Sequence, residues 1–190
     1  MLKKIITISI LSLCLSGLAS IATAGIVEEY FDILKNIPAD YSTRGAVCEK
    51  VAILELEETW GRNDYTILNG VAYADGHRRI GELDIVILRK SDDEAVLIGE
   101  VKCSTAYGAT LERAKEQLGR FYDFICTDHE EYQIYFEDNP SINFTKYNFN
   151  EDPEFITISQ RKSIYHGFDV ELKISLSQVE HLRQMLSHSN

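Results

Sequence analysis

The chain has 190 residues, 45% of them hydrophobic, and a formal net charge of −11 at neutral pH. This length suits one compact domain with a substantial core. The acidity excludes a broadly basic surface, so any groove that binds polyphosphate must be a local feature.

The first 24 residues are predicted to be a secretory signal peptide, because two lysines precede an apolar run over residues 5–18 and small residues end in Ala-Thr-Ala at 22–24. Cleavage after Ala24 leaves a secreted or periplasmic domain of residues 25–190. Since two lysines and no acids are lost, the formal charge falls from −11 to −13. The alternative is a lipid anchor on Cys14, but Leu13 is larger than the residue such a signal requires. No later segment is predicted to cross a membrane, so no stable membrane association is expected.

Three cysteines remain after cleavage, Cys48, Cys103 and Cys126, and their odd number rules out complete pairing within one chain. One disulfide with one buried thiol, or three buried thiols, are both compatible with the sequence. We interpret Cys103 as a packing residue. The spacings match no zinc site, and no histidine motif supports a catalytic thiol.

Two amphipathic helices are predicted before the first strand. Residues 26–37 carry apolar side chains at helical spacing, and a second helix extends from about Arg44 to Trp60 after a cap at Ser42 or Thr43. Glu49 lies in the first half of this second helix.

After residue 64 the sequence changes to short runs that are rich in β-branched and aromatic residues, which predict strands. Residues 65–74 form the first predicted strand, residues 75–79 a turn, and LDIVIL (83–88) with AVLIGEV (95–101) an antiparallel hairpin. The remaining predicted elements are, in order, a helix at 109–126, strands at 131–136 and 154–159 separated by a loop or lid, a strand at about 168–176 and a helix from Ser177. This order predicts an α/β fold with a mixed central β-sheet flanked by helices.

Charged side chains interrupt the apolar hairpin at Asp84, Glu100 and Lys102. Buried charges are costly unless they are paired or bound to a metal. Glu100 and Lys102 lie roughly 7 Å apart on one face of a strand, because side chains alternate. Asp84 begins the partner strand and falls opposite them, so the two carboxylates are predicted to converge on one cation.

Two carboxylates and one backbone carbonyl are a reasonable partial ligand set for Mg²⁺, which prefers oxygen. Such an ion makes the water that it binds more acidic, and this water is a natural nucleophile for a phosphodiester. Lys102 would position the water and offset negative charge on the phosphorus oxygens. The residues therefore predict a hydrolytic site.

An acid that opens one strand, followed by Glu-x-Lys on the next, resembles the PD-(D/E)XK nuclease superfamily. The text GELDIVI with GEVK is especially similar to its resolvase-like and restriction-endonuclease-like members. The resemblance implies a restriction-endonuclease-like core at about residues 44–126, a DNA or RNA substrate, and Mg²⁺ or Mn²⁺ as cofactor. It also implies that Asp84, Glu100 and the carbonyl of Val101 bind the metal and that Lys102 is catalytic.

Two further residues match the same superfamily. Glu49 corresponds to an additional acid that binds or orders the metal in many members, and Gln117 corresponds to a glutamine on the helix after the lysine strand. The sequence departs from the motif at Leu83, which stands where the proline of the name is found.

Each of these residues also has an ordinary structural interpretation. A pair such as Glu100 and Lys102 is commonly a surface ion pair of little energetic weight, and an isolated Asp84 would only cap a hairpin. The intact set of three favours a secreted metal-dependent nuclease, whereas the acidity favours a non-catalytic binding or scaffolding protein. The oligomeric state stays open, a homodimer included.

Overall fold

The computed structural model describes residues 25–127, 132–136, 139–149 and 152–189, with only the backbone described at 139–143. The predicted signal peptide, residues 1–24, lies outside the described residues. The fold is mixed α/β with a mixed sheet flanked by helices, which confirms the predicted class. The helices are α1 (residues 25–34), α2 (Arg44–Thr59), α3 (Tyr107–Cys126) and α4 (Leu176–Ser187).

Nine strands are found in the described residues, together with short 3₁₀ turns at Lys146–Phe149 and Ser163–His166. The strands are β1 (Tyr65–Leu68), β2 (Val71–Asp75), β3 (Arg78–Leu83), β4 (Ile85–Arg89), β5 (Glu94–Val101), β6 (Tyr132–Phe136), β7 (Asn139–Phe144), β8 (Glu154–Ser159) and β9 (Val170–Glu171).

The strands form two sheets. The larger has the order β1-β4-β5-β8-β9, with antiparallel pairing from β1 to β5 and parallel pairing from β5 to β9. The smaller is antiparallel with the order β3-β2-β6-β7. The chain changes sheet four times, from β1 to β2, from β3 to β4, from β5 to β6 and from β7 to β8.

Side chains alternate between the two faces of the larger sheet, and each face packs in its own hydrophobic core. Ile85, Ile87 and Leu97 pack with buried residues of α1, α2 and α4 on one face. Val86 and Ile98 point to the other face and pack with α3 and the smaller sheet. Because parallel strands buried on both faces lack a polar side, β5 is apolar almost throughout, and the charge at its end is conspicuous.

Local sequence explains where the helices begin. The Thr43 side chain accepts a hydrogen bond from the backbone N–H of Ala46 and caps α2. Ser175 and Gln178 form a reciprocal capping box on α4. Among the described residues, no helix has both the length and the hydropathy needed to cross a membrane.

Three predicted elements were wrong in extent. Residues 65–74 are two strands in different sheets, separated at Gly70, whose φ of 78° lies in the left-handed region that favours glycine. The predicted loop or lid after residue 136 contains β7, which pairs with β6. The predicted strand at 168–176 is reduced to β9, because its parallel pairing with β8 covers two residue pairs, Ile158 with Val170 and Ser159 with Glu171.

The cysteine predictions were partly wrong. Cys48 and Cys103 form a disulfide, so the alternative with three buried thiols is wrong and Cys103 is not merely a packing residue. Cys126, the last residue of α3, keeps a free thiol, but it is exposed rather than buried.

Candidate active site

Asp84 lies where the chain passes from the smaller sheet to the larger one, between the end of β3 and the start of β4. The antiparallel register pairs Ile85 with Gly99, which brings Asp84 level with Glu100. The backbone N–H of Val101 donates to Oδ2 of Asp84 at 2.8 Å. The Asp84 side chain is therefore held against the end of β5.

Lys102 bridges the two acids. Its Nζ donates to Oδ2 of Asp84 at 2.9 Å and to Oε2 of Glu100 at 2.8 Å, so the two oxygens lie no further apart than the sum of these distances. Side-chain exposure falls from 23% for Lys102 to 13% for Asp84 and 0% for Glu100. The fold thus brings together the three charged residues of the hairpin, with Lys102 on the accessible side.

Burial and charge act together on this group. Burial of Glu100, reinforced by the charge of Asp84, raises the pKa of its carboxyl group well above the ordinary value. Burial lowers the pKa of Lys102, but the charges of Asp84 and Glu100 outweigh this effect, and the net pKa is raised. Lys102 is therefore an ammonium ion at neutral pH.

One oxygen of the cluster is unsatisfied. Oε1 of Glu100 is buried and has no hydrogen-bond partner among the described residues. Buried polar atoms are normally satisfied, and one that is not calls for an explanation such as an ion. A carboxylate oxygen close to a second carboxylate has the chemistry that a divalent cation satisfies.

A third carboxylate reaches the cluster from α2. Burial, and next the charge of Asp84, raises the pKa of Glu49 to about 7, while Asn69 and Lys102 act in the opposite direction. Nδ2 of Asn69 donates to the backbone carbonyl of Asp84 at 2.9 Å and lies 3.4 Å from Oε2 of Glu49. Asn69 thus connects the helix acid to the junction between the sheets.

Comparison with protein-family models, curated proteins and solved structures gives no match.

Sequence reasoning missed Asn69, although a signal was present. Asn-Gly dipeptides mark turns, and Asn69 with Gly70 interrupts the predicted first strand at the crossover between the sheets. Oδ1 of Asn69 accepts a hydrogen bond from Nζ of Lys50 at 2.7 Å, which fixes the orientation of the amide group.

The end of β8 supports the segment that carries Lys102, and no local motif points to this role. Oγ of Ser159 donates to the carbonyl of Lys102 at 2.6 Å. The buried amide of Gln160 donates to the carbonyl of Ser104 at 2.7 Å and accepts from its N–H at 3.1 Å. Because β5 and β8 are parallel, their carboxyl ends lie side by side, and these contacts follow from the topology.

Gln117 is not tied to the cluster in the same way. It is half-buried on α3, and the hydrogen bonds of the described residues do not connect it to Asp84, Glu100 or Lys102. Val101 contributes its N–H to Asp84.

The carboxylates fit a hard divalent cation by donor type, but the ammonium group of Lys102 contacts two of them. Within the described ranges, no group of three or more His, Cys, Asp or Glu side chains is arranged to hold a metal ion. An ion that binds Asp84 and Glu100 would have to take over contacts that Lys102 makes. The arrangement therefore predicts competition between Lys102 and a metal.

Proposed function

We propose that this chain is a secreted or periplasmic nuclease that hydrolyses phosphodiester bonds of DNA or RNA with Mg²⁺ or Mn²⁺. We further propose that the larger sheet with α2 and α3 is a restriction-endonuclease-like core. The observation that carries the proposal is the contact of the Lys102 ammonium with both Asp84 and the fully buried Glu100, whose second oxygen is left without a partner.

A structural ion pair would not need this arrangement. Burial of a carboxylate is costly and a second carboxylate nearby adds repulsion; the raised pKa of Glu100 reflects its burial first and the charge of Asp84 second. Proteins keep such costly arrangements at functional sites, where charges serve chemistry. A third acid, Glu49, adds to the same negative potential.

The roles of the residues follow from their chemistry. A bound divalent ion would supply Lewis acidity towards water and the phosphate group. Asp84, Glu100 and Glu49 would hold the ion with carboxylate oxygens, and Val101 would do so with its backbone carbonyl. Lys102 stays protonated, so it stabilises negative charge on the phosphate oxygens and does not act as a base. Gln117 would contact substrate or water from α3.

The proposed location outside the cytoplasm has two supports. The order of lysines, apolar run and small residues at the N-terminus is that of an exported protein. The Cys48–Cys103 disulfide fits an oxidising compartment, because cytoplasmic thiols are kept reduced.

One observation favours the alternative of a non-catalytic binding or scaffolding protein. The net charge of −11 opposes a polyphosphate substrate, because nucleic-acid affinity depends strongly on basic residues that release counterions. The two proposals differ in a simple test, since only an enzyme turns substrate over.

The test is a digestion assay with the mature protein on single- and double-stranded DNA and RNA. Each substrate is incubated with Mg²⁺, with Mn²⁺ and with EDTA, and the matched inactive control is Glu100→Gln. We expect cleavage that requires the metal and is absent in the variant. Absence of cleavage on every substrate with either ion would transfer support to the scaffold alternative.

A further inference from the structure

A disulfide joins the two segments that carry the helix acid and the lysine. Cys48 of α2 is linked to Cys103, which follows β5, across 55 residues of sequence. Cys48 directly precedes Glu49, and Cys103 directly follows Lys102. The covalent link therefore lies one residue from the site on both sides.

The backbone of the Lys102 segment and the side chain of Glu49 are held by different numbers of hydrogen bonds. Ser159 and Gln160 bind the backbone of the Lys102 segment with three hydrogen bonds between 2.6 and 3.1 Å. Glu49, in contrast, has the 3.4 Å contact with Asn69 as its hydrogen bond to the sheets. The disulfide thus ties α2, which is packed in the first core, to the Lys102 segment next to the sparsely hydrogen-bonded side chain of Glu49.

Repulsion between the carboxylates gives the disulfide a possible effect on the position of Glu49. When Glu49 and Asp84 are both ionised, their mutual repulsion favours displacement of Glu49 from the sheet. A covalent tie one residue away opposes the displacement without adding charge. Affinity for a divalent cation increases when its ligands are already in place.

We propose that Cys48 and Cys103 are positioning residues, and that the metal site is fully assembled only after their two thiols are oxidised to the disulfide. The inference rests on the proposed function. Oxidation removes one proton and one electron from each thiol. By exchange, the disulfide bond of an exported thiol oxidase breaks as the Cys48–Cys103 bond forms, and the oxidase takes up both electrons and both protons as a dithiol. A chain that has not left a reducing cytoplasm would then bind the metal weakly and be a poor enzyme.

The test compares Mn²⁺ binding by titration calorimetry in four mature proteins: wild type, Cys48→Ala/Cys103→Ala, Glu49→Gln, and the triple variant that combines these changes. Loss of the disulfide should weaken Mn²⁺ binding about tenfold, the scale seen when groups that orient metal ligands are removed. In the Glu49→Gln background the same loss should change the affinity less than twofold, because the disulfide acts through Glu49. Cys126→Ala removes the exposed free thiol and should match wild type.

Circular dichroism and hydrogen exchange of the metal-free proteins accompany the titrations. The double variant should stay folded and exchange faster in residues 44–51 than wild type. An affinity loss that is equal with and without Glu49, no loss at all, unchanged local exchange, or global unfolding of the double variant would each overturn the inference. If Cys126→Ala, with its disulfide intact, neither binds Mn²⁺ nor cleaves nucleic acid, the proposed function itself fails.

Discussion

Lys102 makes two ion pairs, one with Asp84 and one with Glu100, both of which are proposed to bind the metal. The ammonium group holds Asp84 and Glu100 together in the absence of a metal, and its raised pKa keeps it charged. A cation and a lysine that share the same carboxylates are competitors. The roles of metal ligand and catalytic lysine are therefore separable by mutation.

Lys102→Ala should abolish turnover while leaving Mn²⁺ affinity equal to or higher than that of wild type. Loss of one group that stabilises the transition state costs about 10²- to 10³-fold in rate, and removal of a positive charge favours binding of a cation. Asp84→Asn should instead lower both the turnover and the affinity for Mn²⁺. Cleavage rates and calorimetric titrations with Mn²⁺ test Lys102→Ala and Asp84→Asn. The matched control is Lys115→Ala, on the exposed face of α3. A large loss of Mn²⁺ affinity in Lys102→Ala would contradict the assigned roles.

The raised pKa of Glu49 predicts that the stability of the protein depends on pH. Its pKa is about 7 in the folded protein against an ordinary value of 4.5, so the folded state retains a proton that the unfolded state has lost. The corresponding stabilisation is complete below pH 4.5 and disappears as the pH rises through about 7. In EDTA, Glu49→Gln should therefore gain stability over wild type between pH 5 and 8, by on the order of 2 kcal/mol.

Chemical denaturation at several pH values measures the difference in stability between wild type and Glu49→Gln. A second experiment adds metal. Mg²⁺ should raise the unfolding temperature of wild type more at pH 8 than at pH 5.5, because a protonated carboxyl group binds a cation poorly. A difference between wild type and Glu49→Gln that does not change with pH would show that Glu49 is not buried against Asp84.

Strand β3 crosses the ring of Tyr73 so closely that only glycine fits. A Cβ at Gly81 would lie 2.6 Å from Cζ of Tyr73 and would also collide with its hydroxyl group. The ring is 1% exposed and packs against Phe121 and Phe124 with centroids 5.1 Å apart, so it has no free space to enter. This contact fixes the smaller sheet against α3.

Gly81→Ala should accordingly destabilise the protein by about 2 kcal/mol through overpacking. The control is Gly119→Ala on α3, where a new Cβ meets no atom within 4 Å among the described residues, and where replacing a helical glycine should stabilise by about 0.5–1 kcal/mol. Urea denaturation of both variants measures the change in the free energy of unfolding, which should be opposite in sign for the two. A neutral Gly81→Ala would mean that Tyr73 can be displaced at no cost.

The hairpin β4–β5 was predictable because its signals are local. Apolar alternation and a short polar connection determine the register, and the register places Asp84 level with Glu100. The division of residues 65–74 between two sheets was not predictable in the same way. Strand propensity is high on both sides of Asn69, and β1 and β2 are distinguished only by their partners, which are β4 for β1 and β3 and β6 for β2.

Other elements were missed for related reasons. Pro140 made the segment after residue 136 resemble a loop, but β7 is an edge strand, where proline is tolerated. Cys48 and Cys103 are 55 residues apart, so their pairing depends on how α2 packs on the end of β5. The support of Lys102 by Ser159 likewise requires the parallel pairing of β5 and β8. The charged residues of the site are visible in the sequence, whereas the neutral residues that hold them are not.

At the scale of the whole molecule, the first described helix, α1, belongs to the hydrophobic core. Val27, Tyr30 and Leu34 of α1 are at most 3% exposed and pack in the first core. The helix α1 is therefore part of the folded domain.

Full-length protein expressed with an active secretion pathway should be recovered with Gly25 as its first residue, as measured by intact mass and N-terminal sequencing. A chain that begins at Gly25 should unfold at the same temperature as the processed protein. A chain that begins at Ala39 lacks three buried side chains, each worth about 1.5–3 kcal/mol of burial, and should be strongly destabilised. Recovery of a membrane fraction that retains Cys14 with a lipid would contradict cleavage at Ala24. Because such an anchor would still leave the domain in an oxidising compartment, it would change the proposed location to a membrane surface without removing the need for the Cys48–Cys103 link.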